Sequence, residues 1–167
     1  MNNRKAGLRF EQEIIRALAE AFGLRHPGTS KDYQIASTRL HSKAMDDRGV
    51  DVWCSMPPLS RYAIQLYRQT RRRTKKGSGT ATVSVRKLLR MADLPRPVMI
   101  VGDYGWRGRR KVRLGTWVLM LHKGCSGTPR GSLTVPLKEG TYCVFHETEM
   151  SIDVIDFQTF IKHLKNE

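Results

Sequence analysis

The chain has 167 residues, of which 40% are hydrophobic, enough for one domain with its own core and too many for wholesale disorder. Its 30 Lys and Arg against 15 Asp and Glu give a formal net charge of +15, which favours DNA, RNA or, less often, an anionic membrane surface as partner. No apolar run reaches the length of a membrane span, and charges interrupt the apolar residues near the N-terminus, so no signal peptide is predicted. Cys54, Cys125 and Cys143 lack metal-site spacing and are expected to stay reduced.

The first predicted element is an amphipathic helix over residues 5–22, with Gly23 as its C-terminal stop. Glu11 falls inside the apolar arc of this helix, and Gly7, one turn earlier on the same face, offers no side chain to block approach. A carboxylate facing the interior has to be paired, protonated or bound to a metal, because an isolated buried charge is costly. Pairing with a neighbouring arginine and a functional role are equally good interpretations from the helix alone.

Between this helix and Gly49, the sequence predicts a turn at residues 26–28, a short strand over 33–36 and a polar, irregular loop over 38–48. Arg25, Arg39 and Lys43 are candidates for contact with phosphate, while a solvated loop without a role is an equally good alternative. Asp46 and Asp47 lie too close to a turn to be first choices as metal ligands.

Residues 49–53 and 64–67 are predicted to be two short strands, joined as a hairpin through a linker with a Pro-Pro break. Alternation puts the two valines that flank Asp51 on one face and Asp51 on the other. On the second strand it likewise separates Gln65 and Tyr67 from their apolar neighbours. Asp51 and Gln65 are therefore predicted to project side by side, as an active site or as an ordinary polar sheet face.

Three short motifs now follow one another: Gly7-x-x-x-Glu11 on a helix, Gly49-Val50-Asp51-Val52 on a strand, and Gln65-x-Tyr67 on the next strand. Their order and spacing over about residues 5–102 resemble the PD-(D/E)XK nuclease superfamily, and most closely the archaeal and phage-type Holliday junction resolvases. The resemblance implies an α/β (α+β) fold with a restriction-endonuclease-like core, in which a central mixed sheet is flanked by helices. We expect residues 1–167 to form one such domain.

By this resemblance Glu11, Asp51 and Gln65 would surround one or two Mg²⁺ ions, for which Mn²⁺ would substitute. Gln65 would occupy the third acidic position, where glutamine is an accepted variant, and Tyr67 would complete the candidate catalytic set. Independently of the family, hard Mg²⁺ prefers oxygen ligands and leaves room for water and phosphate beside two carboxylates and an amide. The neutral amide predicts weaker metal binding than a third carboxylate would give.

Tyr67 departs from the family pattern, which has a lysine at this position. A neutral tyrosine cannot supply positive charge at pH 7. Three explanations stay open: another cation, such as Arg68 or a lysine of the 75–76 pair, takes the role; the position has been substituted to make an inactive form; or the chain binds nucleic acid without cutting it.

The second half of the sequence adds basic segments and core elements. A flexible basic arm is predicted at about residues 68–80, and a basic turn with aromatic residues at 104–111, where Trp106 would stack on an unpaired base or pack under the loop. A helix over 85–91, capped by Ser84, carries cations outward; strands are expected at 98–101, 116–121 and 141–145, and a closing helix at 157–164. The cations predicted to contact nucleic acid in these segments are Arg68, Arg71, Arg72, Arg73, Lys75, Lys76, Arg107, Arg109 and Arg110.

The resemblance implies a Mg²⁺-dependent, structure-selective endonuclease that cuts branched double-stranded DNA such as Holliday junctions. It also implies a homodimer, a 5′-phosphate and a 3′-hydroxyl as products, and the cytoplasm of a bacterial or archaeal host, with a phage as possible source. A non-catalytic nucleic-acid-binding module with a degenerate nuclease fold is the main alternative, supported by Gln65 and Tyr67. A restriction or repair nuclease of the same superfamily and an RNA-binding protein that acts by charge alone also stay open.

Overall fold

The computed structural model describes residues 3–75, 77–79 and 81–167; Lys76, one of the predicted phosphate contacts, lies outside them. Four α-helices are present in this part of the chain: α1 (Asn3–Phe22), α2 (Lys43–Asp47), α3 (Arg86–Leu89) and α4 (Phe157–Lys165). The strands are β1 (Ile35–Ser37), β2 (Val52–Cys54), β3 (Ala63–Thr70), β4 (Arg73–Thr74), β5 (Gly77–Ser78), β6 (Thr82–Ser84), β7 (Pro97–Arg107), β8 (Arg110–Lys123), β9 (Thr128–Pro129), β10 (Thr134–Pro136), β11 (Gly140–His146) and β12 (Thr148–Asp156).

Eight of these strands form one mixed sheet in the order β1-β2-β3-β7-β8-β12-β11-β9. β3 pairs with β7 in parallel, and β11 pairs with β9 in parallel, whereas the other neighbours are antiparallel. The chain between β3 and β7 must cross over the sheet, because parallel neighbours cannot be joined by a tight turn. This crossover carries the β4–β5 hairpin, β6 and α3, so the basic arm starts at the end of a central strand.

Helices α1 and α4 cover one face of the sheet. Their buried side chains, which include Phe10, Leu18 and Phe160, pack against Ile100 of β7 and its neighbours. α1 approaches the sheet closely at Gly102, where an added Cβ would lie 2.5 Å from the Phe10 ring. A side chain at position 102 would therefore push α1 away from the sheet.

The opposite face is covered by α3 and by the two-stranded ribbon of β6 and β10. Leu88 of α3, Val83 of β6 and Val135 of β10 are buried against the sheet together with Met99 and Val101 of β7. The mixed sheet between two covering layers confirms the predicted α/β class with a sheet flanked by helices. No described helix has both the length and the apolar composition that crossing a bilayer requires.

Several element predictions are confirmed. α1 ends at Phe22, and Gly23 follows with φ of 63°. The hairpin between β2 and β3 is antiparallel, with Val52 opposite Ile64. The predicted core strands are present but longer, because β7 and β8 form one extended hairpin that also contains the predicted basic turn.

Other predictions are wrong in detail. Val50 and Val52 do not share a face, since Val50 precedes β2 and packs in the cluster under α3, whereas Val52 packs under α1. The predicted irregular loop contains a 3₁₀ turn over Thr38–Leu40 and helix α2. α3 begins at Arg86 with Val85, not Ser84, at its N-cap.

The cysteine prediction is also wrong. Cys125 and Cys143 form a disulfide, with their Cα atoms 5.2 Å apart, within the usual range for such a pair. Cys54 keeps a free thiol and is half-buried. Cysteine spacing does not predict this pairing, because the pairing depends on the strand register that brings the loop after β8 beside β11.

Candidate active site

Asp51 lies where β2 and β3 separate. Its backbone N–H donates to the carbonyl of Ile64 at 2.8 Å, one residue before β2 begins. Its Oδ2 accepts a hydrogen bond from the backbone N–H of Leu66, also at 2.8 Å. The Asp51 carboxylate thus satisfies a strand amide that would otherwise lack a partner at this fork, and its position is fixed by the sheet itself.

Thr38 holds the segment that faces Asp51. Its side chain is fully buried, its N–H donates to the carbonyl of Asp51 at 3.0 Å, and its Oγ1 donates to the carbonyl of Val50 at 2.5 Å. These two bonds fix the start of the 3₁₀ turn beside the fork. This turn places the side chain of Arg39, the next residue, beside Glu11.

Glu11, Arg39 and Asp46 form a charge cluster around the fork. Glu11 is only 7% exposed, as its place in the apolar arc of α1 predicts. An Arg39 terminal nitrogen lies 3.5 Å from Glu11 Oε2, and Arg39 Nε lies 3.6 Å from Asp46 Oδ1. Asp46 is therefore part of the site, although sequence reasoning set it aside as a turn residue.

The environment of Asp51 favours its neutral form. Burial is the largest influence and, together with the negative charges of Glu11 and Asp46, raises the pKa of Asp51 to about 6. The hydrogen bond from Leu66 and the charge of Arg39 act in the opposite direction. Two carboxylates from distant parts of the chain, Glu11 on α1 and Asp51 at the fork, therefore interact across this site.

Gln65 is buried on β3, 7% exposed, and its Oε1 has no hydrogen-bond partner among the described residues. It borders a cavity of about 350 Å³ whose other walls include Asp46, Gly49 and Lys87. Gly49 has φ of 84°, and a Cβ there would lie 3.8 Å from Gln65 Oε1. An unpartnered buried oxygen that borders a cavity is suited to accept a donor or a cation from a ligand.

Tyr67, two residues further along β3, is half-buried and packs in the apolar cluster on the α3 side of the sheet. The Nζ of Lys87 lies 5.1 Å from the centre of the Tyr67 ring, a cation–π distance. Arg68, one of the cations suggested as a substitute for the missing lysine, lies 4.1 Å from the centre of the Tyr104 ring. Alternation along β3 places Arg68 and Tyr67 on opposite faces.

The donor set fits a hard divalent cation in part. Among the described residues, no three His, Cys, Asp or Glu side chains are grouped so that they could hold a metal ion. Glu11 and Asp51 supply two carboxylates near the fork, whereas Gln65, whose amide oxygen is unpartnered, borders a cavity that neither carboxylate lines. Together the three side chains would form an oxygen-only set of the kind that Mg²⁺ accepts while keeping several waters.

A basic surface with aromatic residues lies further along the sheet, where β3 ends and the β7–β8 hairpin continues. The Arg73 guanidinium lies 5.7 Å from the centre of the Trp106 ring, and Lys111 Nζ lies 5.9 Å from it on the other hairpin strand. We call the set Arg68, Arg73, Tyr104, Trp106, Lys111 and Arg113 the basic-aromatic surface. Arg107, Arg109 and Arg110 are exposed at the tip of the β7–β8 hairpin beside it.

Some predicted phosphate contacts are engaged within the protein. Arg71 makes a salt bridge of 2.5 Å with the fully buried Asp103 and a further hydrogen bond of 3.4 Å to the carbonyl of Gly79. Arg25 pairs with Asp32 at 3.0 Å. The predicted contacts that are exposed to solvent in the described part of the chain include Lys43, Arg72 and Lys75.

Sequence reasoning missed two residues beside the site, Asp46 and Lys87. The sequence predicts a helix with outward-facing cations here, but the position of Lys87 over β3 depends on how α3 crosses the sheet. Asp46 borders both the charge cluster and the Gln65 cavity. Ser42 as N-cap could have predicted the helix over residues 43–47, but not the position of Asp46 beside the fork.

Comparisons with protein-family models, with curated proteins and with solved structures find no match for this chain. The residues and their geometry are therefore the basis for any functional conclusion.

Proposed function

We propose that the chain is a Mg²⁺-dependent, structure-selective DNA endonuclease of the PD-(D/E)XK type that acts on branched DNA. The observation that carries the proposal is the convergence of Glu11 and Asp51 at the fork between β2 and β3. Nothing in the apolar packing of α1 requires a carboxylate at position 11. Arg39 pairs with Glu11 at 3.5 Å, but this one cation faces three acidic side chains, Glu11, Asp46 and Asp51, so the site has room for a further positive charge.

In this proposal Glu11, Asp51 and Gln65 would hold the metal ion, which would supply charge stabilisation at the phosphate and activation of the attacking water. The reaction adds water across one phosphodiester: oxygen from water bonds to phosphorus, the bond to the 3′ oxygen breaks, and the 3′ oxygen gains a proton. A 5′-phosphate and a 3′-hydroxyl result.

The basic-aromatic surface supports DNA as the substrate. Guanidinium and ammonium groups bind backbone phosphates without reading sequence, which suits recognition of shape. Trp106 lies between Arg73 and Lys111, and aromatic faces can stack on bases that leave the duplex at a branch point. Symmetric cutting of a four-way junction needs two sites, so the proposal includes a homodimer.

The test is cleavage of an end-labelled four-way junction in Mg²⁺, beside a linear duplex of the same sequence. We expect paired nicks in the junction, little cutting of the duplex, and loss of cutting by at least about 100-fold in Asp51→Asn and Glu11→Gln, because each removes one carboxylate of the metal site. Glu20→Gln is the matched control, since Glu20 is exposed on the same helix and lies outside the site.

A non-catalytic module with the same fold is the second candidate, favoured by the tyrosine at position 67. It predicts tight binding to the junction with no cutting by the unaltered chain. Absence of both cutting and junction preference, in the unaltered chain and in Tyr67→Lys, would overturn the endonuclease proposal and the module alike.

A further inference from the structure

A lysine side chain borders the Gln65 cavity, a position that the sequence did not predict. Lys87 of α3 borders this cavity with Gln65 and Gly49, and its Nζ is 5.1 Å from the centre of the Tyr67 ring. Lys87 is exposed and makes no salt bridge within 4 Å in the described part of the chain, so its ammonium is available to a ligand.

We propose that Lys87 supplies the positive charge at the reacting phosphate and that the Tyr67 ring is the platform that positions it. This inference rests on the proposed endonuclease function. It explains how a chain with tyrosine at position 67 can still have an ammonium group at this site. The ammonium group belongs to α3, which covers this face of the sheet, and it lies over the Tyr67 ring. It does not project from β3 itself.

The surroundings of Lys87 support this role over that of a solvated surface charge. The ring below it restricts the side chain, because an ammonium over a tyrosine face is attracted by the ring quadrupole. Arg90 also lines this cavity, where Arg48 is paired with Asp93 and the remaining acidic residues are Asp46 and Asp47.

The alternative substitutes suggested by the sequence are less well placed. Arg68 lies over Tyr104, on the opposite face of β3 from Tyr67, and does not line the Gln65 cavity. Lys75 lies beyond the end of β3, after Arg73–Thr74 of the arm. Lys87 is the cation whose contact with Tyr67 the structure records.

The experiment compares Lys87→Met with Arg86→Met, its neighbour on α3, which is also exposed and does not border the cavity. We expect Lys87→Met to reduce the single-turnover cleavage rate at saturating junction by about 100-fold or more, as loss of a preorganised charge does. Arg86→Met should stay within about threefold of the unaltered chain. Junction affinity, measured in EDTA, should fall by a similarly small factor in both variants.

Two further variants separate positioning from structure. Tyr67→Phe keeps the ring and should keep the rate, whereas Tyr67→Ala should lose much of it while Lys87 is still present. Tyr67→Lys in the Lys87→Met background should restore cutting, because the ammonium then comes from β3. Thermal denaturation checks that each variant folds, and calorimetry with Mg²⁺ should show that Lys87→Met binds the ion no more weakly than the unaltered chain.

The outcomes separate the two proposals. Cutting by Lys87→Met within about threefold of the unaltered chain, with Asp51→Asn inactive, overturns the role of Lys87 and leaves the endonuclease proposal intact. A rate loss in Lys87→Met that is fully explained by weaker junction binding also overturns it. If the unaltered chain neither cuts nor binds Mg²⁺ more tightly than Asp51→Asn does, the endonuclease proposal fails and the role of Lys87 fails with it.

Discussion

The Asp51 carboxylate lies in a partly buried position near Glu11 and Asp46, where its pKa is raised to about 6 from the ordinary value of 3.8. Between these two pH values the folded chain holds the Asp51 proton while the unfolded chain has released it. The contribution of Asp51 to the free energy of unfolding therefore falls as pH rises from about 4 to about 6, and this loss stays constant at higher pH. The negative charge of Asp51 destabilises the metal-free fold at neutral pH.

Asp51→Asn should consequently stabilise the metal-free protein at pH 7 by about 1–3 kcal/mol and have little effect near pH 4. The amide keeps an oxygen that can accept the Leu66 N–H, so the fork is preserved. Urea denaturation of both proteins in EDTA, at several pH values, measures the difference. Glu13→Gln, at an exposed position on α1, should show no such dependence on pH; equal stability of Asp51→Asn and the unaltered chain at pH 7 would contradict the raised pKa.

Mg²⁺ should reverse this destabilisation, because a cation at the fork favours the charged carboxylate. The apparent Mg²⁺ affinity is therefore expected to rise with pH through about 6, as Asp51 loses its proton. A metal affinity that does not change between pH 5 and 7 would show that Asp51 is not a ligand.

At the scale of elements, the basic arm depends on one buried ion pair. Arg71, just after β3, contacts Asp103 of β7 through both carboxylate oxygens, and its N–H donates to the carbonyl of Tyr104 at 2.8 Å. The Asp103 side chain is fully buried, whereas the Arg71 side chain is 22% exposed. The pair thus fixes the point where the arm leaves the sheet.

This asymmetry predicts unequal effects of removing the two partners. Arg71→Met leaves the Asp103 charge buried without compensation and should cost about 3–5 kcal/mol of unfolding free energy. Asp103→Asn should cost less, because the partly exposed Arg71 can turn toward water. Arg72→Met, at the exposed neighbouring position, should leave stability within about 0.5 kcal/mol and weaken DNA binding alone. Equal stability of Arg71→Met and Arg72→Met would rule out the anchoring role.

The elements that the sequence predicted are those whose signals are local. The period of α1 identifies both its buried face and Glu11, because the helix repeat is a property of the segment itself. The β7–β8 hairpin and the disulfide were missed or shortened, since they depend on register between distant strands. The valines around Asp51 were misassigned for a related reason: Val50 precedes β2, so strand alternation does not apply to it.

The residues of the candidate site also divide into those with a local sequence signal and those without one. Glu11, Asp51 and Gln65 stand out as polar groups in apolar patterns, and the structure buries Glu11 and Gln65. Asp46 and Lys87 carry no such signal, because an acidic residue in a short helix and a lysine on an exposed helix face are ordinary in sequence. Their proximity to the site arises only from the way α2 and α3 pack.

For the molecule as a whole, the net charge of +15 should make binding to DNA strongly dependent on salt. A protein that neutralises six to ten phosphates loses about 10³–10⁵-fold in affinity between 50 and 200 mM salt, and we expect this chain to fall in that range. The charge is spread over the surface, however, so the location of the DNA-binding face has to be tested separately.

Two triple variants with equal charge loss locate that face. Replacing Arg109, Arg110 and Lys111 at the hairpin tip by glutamine should reduce the slope of log affinity against log salt by about 2–3, because roughly 0.9 counterions are released per phosphate contact. Replacing Lys123, Lys138 and Lys162, which are exposed away from the basic-aromatic surface, removes the same charge and should leave the slope nearly unchanged. Fluorescence anisotropy of a labelled four-way junction over a salt series measures both slopes. If both variants reduce the slope of log affinity against log salt by the same amount, binding depends on net charge alone, and the basic-aromatic surface is not the DNA-binding face.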